Sequence, residues 1–277
     1  MPDVSIVRVQ STREINNPVY SGEKCQVSCN EFALQVPGVG SFYAMDGKQV
    51  EFSVDEGADS GWISLYLNSK VLVALLHQRK IINFHASSFV YKGMGVMVLG
   101  ETGAGKSSLT LAFALHEGGF LTDDLTPLVF DGSAPMIMPL HRHVKLRNDT
   151  AFQLGIDARQ LEDAESGTGK KYFNLQPVQH SPYPLHIILL VNPSEVSSPV
   201  FSTLLPAERF ALLRSEVCSW EMLSGMPETE AAYLQQLSNA IQHTEFIRIE
   251  RPPEISIKDL FVSVKDYLNG LPARGER

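Results

Sequence analysis

Residues 94–108 read MGVMVLGETGAGKSS, and the order of an apolar run, a glycine-rich turn and a Lys-Ser pair decides the fold. The turn, Gly100 to Ser107, matches G-x-x-x-x-G-K-[ST]. It lies between a run suited to a buried strand and the segment KSSLTLAFALHEG, which suits a helix stopped by Gly118-Gly119. In that setting the three glycines let the backbone curl with its N–H groups inward, and the helix N-terminus adds partial positive charge at the same spot. The loop Gly100, Glu101, Thr102, Gly103, Ala104, Gly105, Lys106, Ser107 and Ser108 is therefore expected to cradle the phosphates of a nucleoside triphosphate. Lys106 is expected to reach the β- and γ-phosphates and the Ser107 hydroxyl to hold magnesium.

The next apolar run, FLTDD, ends in Asp123 and Asp124. A parallel sheet brings a strand end of this kind beside the loop. Two adjacent carboxylates can divide the work of phosphoryl transfer, one binding the metal directly or through water and the other taking the proton of an incoming hydroxyl; either of Asp123 and Asp124 suits either task, with Asp124 favoured as the base and Asp123 as the one nearer the metal. Other nucleotide-binding classes fit less well. VNPS at 191–194 stands where a GTPase carries Asn-Lys-x-Asp, with Pro193 in place of the lysine, and LSGMP at 223–227 is a poor version of the transporter-ATPase signature. The loop reads phosphates and not the base, so ATP and GTP stay open.

Composition sets the frame. With 277 residues, 44% hydrophobic and 19% charged, the chain falls in the range of one large domain or one domain with a small appendage. A net charge of −8 argues against nucleic acid as a partner. Cys25, Cys29 and Cys218 are too few and too scattered for a disulfide framework or a structural zinc, which fits reduced thiols. The start of the chain lacks a signal-like apolar run and no stretch is long and apolar enough for a membrane span, so no membrane partner and a cytoplasmic location are expected.

The organisation expected from the pattern is a small β-rich unit at 1–60, a linking helix at 61–80 and a catalytic domain at 81–277. Within the first, FALQV, GSFYAM and KQVEFSV are strand-like, with Asp46-Gly47 as a hairpin turn. Later segments are an apolar strand LHIILLV and helices near 206–216, 228–242 and 256–269, the last with Ser256 as N-cap and Gly270 at its end. The segment HRHVKLR, read as a strand, puts His141, His143, Lys145 and Arg147 on one face, because side chains alternate with period two. That face suits phosphate or an acidic acceptor, and equally an exposed edge strand guarded by charge. Lys170 and Lys171 in SGTGKKYF suit a lid that brings charge over the γ-phosphate, or a solvated loop.

FHASSF, the hairpin after it, GETGAGKS and FLTDDL, in this order and spacing, resemble the catalytic domain of HPr kinase/phosphorylase, a bacterial serine kinase whose fold is related to phosphoenolpyruvate carboxykinase. The resemblance covers about residues 80–130. LQVPGVGSFYAMDG and LLHQRKIINFHAS are similar to the shorter HPr-kinase-like proteins found beside peptide-modification genes, which extends the likeness to about residue 32. The resemblance implies an α/β P-loop kinase domain of HPr-kinase and carboxykinase-like type, carrying the small β-rich N-terminal unit. It makes His85 the counterpart of an active-site histidine, Asp123 and Asp124 the acidic pair and Lys171 a basic position, and it suggests homo-oligomers. The implied reaction moves the γ-phosphoryl of ATP (or GTP), with Mg2+, to a serine or similar hydroxyl on a peptide, protein or small molecule. The C-terminal signature that accompanies HPr docking and phosphorylase activity is not recognisable here, so HPr is not the expected acceptor. Two other readings are a nucleotide-driven switch without a phosphorylated acceptor, and a carboxykinase-like enzyme with the basic face at 141–147 as its carboxylate site.

Overall fold

The structure, a computed structural model, describes residues 3–140, 143–163 and 169–272. The chain forms two compact units, Met1–Asn83 with Leu213–Ser238, and Phe84–Leu212 with Asn239–Arg277.

In the first unit, strands β1 (Ser5–Arg8), β2 (Tyr20–Ser21), β3 (Cys25–Ser28), β4 (Glu31–Val36), β5 (Gly40–Met45) and β6 (Gln49–Val54) form one sheet in the order β1-β6-β5-β4-β3-β2. The turn between β5 and β6 has positive φ at both Asp46 and Gly47, the geometry a two-residue hairpin turn requires. Helices α1 (Ser60–Tyr66) and α2 (Leu72–Gln78) follow, joined by a π-helical turn at Leu67–Val71. Asp59 caps the first by accepting from the Gly61 N–H. Ile63, Val71, Ala74 and Leu75 bury against Val27, Phe32, Phe42 and Val50 of the sheet, together with Met222 and Met226. The segment expected to be a linking helix is thus built into the first unit. The expected catalytic domain at 81–277 is also interrupted, because 213–238 belongs to the first unit. Alternation in strands and in the helix identified the apolar faces, but nothing local marks Met222 and Met226 as partners of a sheet so far away in the chain.

His77 is wholly buried in this unit, its Nε2–H donating to the Cys218 carbonyl at 3.0 Å and its Nδ1 lying 2.9 Å from the Tyr233 hydroxyl. Burial pulls its pKa from 6.5 to about 4. Protons therefore bind the unfolded chain first, and stability falls as pH drops from about 6.5 towards about 4. The loss expected over that window is on the order of 3 kcal/mol. Urea unfolding of the wild type and of His77→Gln at pH 7 and pH 5 checks this, the wild type losing more.

The second unit is built on a mixed sheet. After β7 (Asn83–Phe84), at which the chain first passes into this unit, come β8 (Ser87–Tyr91) and β9 (Met94–Leu99), paired as a hairpin, then helix α3 (Lys106–His116), β10 (Gly118–Thr122), β11 (Thr126–Asp131) and β12 (Ala134–Ile137). Next are β13 (His143–Arg147), α4 (Asn148–Gln153), β14 (Glu162–Asp163) and β15 (Lys170–Asn174), the three strands forming a small separate sheet. β16 (Tyr183–Pro193), β17 (Val200–Thr203), β18 (Glu245–Arg251) and α7 (Ile257–Gly270) complete the unit, while along α5 (Pro206–Glu216) and α6 (Pro227–His243) the chain leaves it and returns.

Across the main sheet the order β10-β8-β9-β16-β18 can be followed strand by strand. β9, β16 and β18 are mutually parallel, while β8 runs antiparallel to both β9 and β10. β10 therefore points the same way as β9 but is separated from it by β8, so the two are not the adjacent parallel pair a simple parallel sheet supplies. Phe113 of α3 stacks on Phe89 at 4.3 Å between ring centroids and meets Phe261 of α7 edge-on at 4.8 Å. This aromatic group, with Val96, Val98, Leu189 and Ile249, fixes α3 and α7 on the sheet.

Among the described residues no helix is long and apolar enough to cross a membrane.

Candidate functional site

The registers place five chain segments along one edge of the main sheet. β9 ends there at Leu99 and opens the glycine-rich loop. Ser87 of β8 pairs with Val98, so His85, two residues earlier, stands beside the loop. Thr122 of β10 pairs with Ser88, which brings Asp123 and Asp124 to the same edge. On the other side of the loop, Leu190 of β16 pairs with Leu99, and Pro193 pairs with Arg251, the last residue of β18. Strand ends of an open α/β sheet collect ligand-binding groups in this way.

The loop is shaped by close packing. A Cβ on Gly100 would lie 2.4 Å from the Val191 carbonyl oxygen, so only glycine lets the loop leave β9 against β16. Gly105 holds φ near +101° immediately before α3, a conformation that L side chains rarely adopt. The Lys106 ammonium is buried and donates to the carbonyls of Gly100 at 2.5 Å and Glu101 at 3.3 Å.

Arg251, not singled out in the sequence, is the loop's main fastening. Its Nε donates to the Ala104 carbonyl at 2.9 Å and its Nη2 to that of Gly103 at 3.4 Å. The carbonyls of Pro252 and Pro253 accept from Nη1. Burial lowers its pKa, yet a guanidinium stays charged. In a trans peptide the C=O and the following N–H point in opposite directions, so fastening the Ala104 carbonyl turns the Gly105 N–H away from Arg251. The signal in the sequence was phase: in FIRIER, Arg251 falls on the same buried face as Ile247 and Ile249.

One cleft of about 460 Å3 in the second unit is bordered by Glu101, Thr102, Gly103, Gly105, Lys106, Ser107 and Ser108, and also by His85 and Asp124. The paired aspartates part company at the end of β10. Asp124 takes a positive φ of 67° and is half-exposed at the cleft, whereas Asp123 is buried and does not border it. The Asp124 carboxylate lies 3.6 Å from His85 Nδ1. Burial is the main cause that holds the His85 pKa below 6.5; the charges of Lys106 and Lys170 add to it and that of Asp124 opposes it. At neutral pH His85 is therefore an uncharged imidazole.

The small sheet supplies a second, basic border. Val144 and Leu146 are buried, so β13 turns Lys145 and Arg147 the other way, onto the cleft. Arg147 pairs with Lys170 in the ladder and Leu146 with Lys171. Lys170 consequently joins the cleft, while Lys171 faces the other way and pairs with Asp163 at 2.8 Å. Of the two lysines expected to suit a lid or a solvated loop, Lys170 borders the cleft and Lys171 does not, and both open a strand. The alternation of a strand explains the difference. His141 and residues 164–168 lie outside the described residues; of His143 the strand pairing with Asn174 is described and its side chain is not.

Among the described residues no group of three or more His, Cys, Asp or Glu side chains is arranged to hold a metal by itself. Ser107 borders the cleft together with Gly103 and Gly105 of the loop and the first residues of α3.

No family model matches the chain, and no curated protein matches it. Among solved structures, that of the HPr(Ser) kinase/phosphatase from Coxiella burnetii is similar, the alignment spanning 68% of this chain and 96% of that one at 14% identity and a TM-score of 0.33. The likeness is distant and concerns the fold alone.

Proposed function

We infer that this protein is a phosphotransferase that moves the γ-phosphoryl group of a nucleoside triphosphate, ATP in the first instance, to a serine or similar hydroxyl. The observation that carries the reading is the juxtaposition at one sheet edge of the glycine-rich loop with Lys106, and of Asp124 and His85 on the next strands, all bordering one cleft. Phosphoryl transfer needs little covalent chemistry from a protein; it needs the phosphates held, charge offset and the nucleophile aligned. In this reading the loop amides, the start of α3 and Lys106 hold the phosphates. Ser107, at the cleft, and Asp123, behind it, are the residues that would hold magnesium, which would supply positive charge to offset that of the phosphates. Asp124, half-exposed at the cleft, accepts the proton of the acceptor hydroxyl as its oxygen bonds to the γ-phosphorus and the bond to the ADP oxygen breaks. Neutral His85 orients that hydroxyl, and Lys170, on the cleft side of β15, offsets charge on the transferred group.

The pH profile follows from His85. Activity is expected to hold from pH 8 down to pH 7 and to fall only below 6.5, since the imidazole acts uncharged. A rate that rises as pH falls through 7 would mean that the charged form is required and would contradict the role given to His85.

The reaction class is tested by measuring ADP and free phosphate together, with magnesium-ATP and an extract of the native cells. ADP in excess of phosphate is expected, since the phosphoryl group stays on an acceptor. Equal amounts, with both stimulated by a protein fraction, would point to a nucleotide-driven switch.

A further inference from the structure

The cleft continues past the loop to the side away from Asp124. There it is bordered by Pro253 and Ile255 from the link between β18 and α7 and by Ile257, the first residue of α7, with Asp149, Thr150 and Gln153 of α4 as a further border. Ile255 and Ile257 are only half-buried, although both pack against the core that carries α3 and α7. Gln153 Oε1 accepts from the Ile257 N–H at 2.9 Å, which ties α4 to the start of α7 and fixes this end of the cleft.

The strand order gives this end a direction. Reading along the edge, Asp124 follows β10, His85 precedes β8, the loop follows β9, and the Arg251 link follows β18. Asp124 and the β18 link thus lie two strands to either side of the loop, roughly 10 Å each way. A triphosphate whose γ-phosphorus faces Asp124 must run its remaining atoms the other way. Only the end bordered by the two isoleucines is then within reach of the nucleoside. Aliphatic side chains left half-exposed beside a polar loop are what a flat heterocycle covers.

We propose that Pro253, Ile255 and Ile257 form the base subsite of the nucleotide, the base packing on the two isoleucines and the triphosphate passing over the loop towards Asp124. This rests on reading the cleft as a nucleoside-triphosphate site and adds which end takes the nucleoside. Arg251 then has a second consequence. By bonding the Gly103, Ala104, Pro252 and Pro253 carbonyls, one side chain sets the phosphate loop and the base subsite relative to each other.

The test is equilibrium binding of magnesium-ATP and of magnesium-tripolyphosphate, which has the phosphates and no nucleoside, to the full chain. The comparison is between wild type and the double variant Ile255→Ala and Ile257→Ala. The wild type is expected to bind ATP at least tenfold more tightly than tripolyphosphate, and the double variant to lose roughly tenfold for ATP with tripolyphosphate unchanged. Ile255→Gln, at a half-exposed position, repeats the test with a smaller structural change and is expected to lose several-fold for ATP alone. If the variants bind ATP as the wild type does, or the wild type binds the two ligands equally, the base lies elsewhere and the proposal is wrong while the phosphate loop stands. If the wild type binds neither, the reading of the loop itself fails and takes the subsite with it.

Discussion

Lys106→Ala is expected to lower turnover by roughly a hundredfold or more, the size of effect that follows removal of a charge aimed at a transferring group. The lysine is buried and its ammonium already rests on the carbonyls of Gly100 and Glu101, so it is held at the loop before any ligand arrives. In the proposed complex a triphosphate would draw it off those carbonyls by offering stronger, charged acceptors. Truncation removes the cation from both carbonyls: at exposed Glu101 water can take its place, while the carbonyl of buried Gly100 loses a charged donor, a cost of about 1–3 kcal/mol. The fold is expected to survive with a somewhat lower melting temperature, while affinity for ATP and turnover drop far more. Arginine at this position is not a substitute, because a planar fork cannot fill the place of a compact ammonium. Steady-state rates and a thermal melt on the same preparations check the expectation, and near-normal turnover in Lys106→Ala would remove the residue from the phosphate-binding role.

Arg251→Ala is expected to weaken nucleotide binding by roughly ten- to a hundredfold, because a loop left free to move must be ordered when the ligand binds. The four carbonyls that accept from its guanidinium belong to the loop and to the Pro252-Pro253 link, so its loss unfastens both at once. The stability cost is expected to be about 1–3 kcal/mol, chiefly from the carbonyl of buried Ala104 losing a charged donor. Arg251→Lys keeps the charge but cannot span both segments, and should fall between. ATP affinity together with urea unfolding separates the effects: a stability loss with unchanged affinity would make Arg251 a core residue with no hold on the site.

The parts legible in the sequence are those governed by local periodicity. The glycine loop between strand and helix, the β8–β9 hairpin, and α7 with Ser256 accepting from the Asp259 N–H could be read from spacing alone. So could the phase of β13, whose Lys145 and Arg147 share a face, since alternation is a property of the strand and not of its partners. The parts that were not legible depend on residues distant in the chain. Lys170 and Lys171 could be told apart only once β15 had a partner, because the ladder with β13 and β14 decides which lysine meets Asp163. The apolar segment 60–78 could be read as helix, but its place in the first unit depends on the sheet of β1 to β6 and on the pieces of chain around Met222 and Met226. Asp123 and Asp124 are alike in sequence and differ because the chain turns through a positive φ at the second of them, which sends one carboxylate inward and the other to the cleft.

The central claim, that this cleft passes a phosphoryl group from nucleotide to hydroxyl with Asp124 as base, is tested most directly with γ-labelled ATP. Wild type and Asp124→Asn are incubated with magnesium and an extract of the native cells, and label is followed into acid-stable products. The expected result is label in one peptide, protein or metabolite as a phosphoester with the wild type, reduced roughly a hundredfold or more with Asp124→Asn. Label recovered only as free phosphate, at the same rate with both proteins, would contradict the claim.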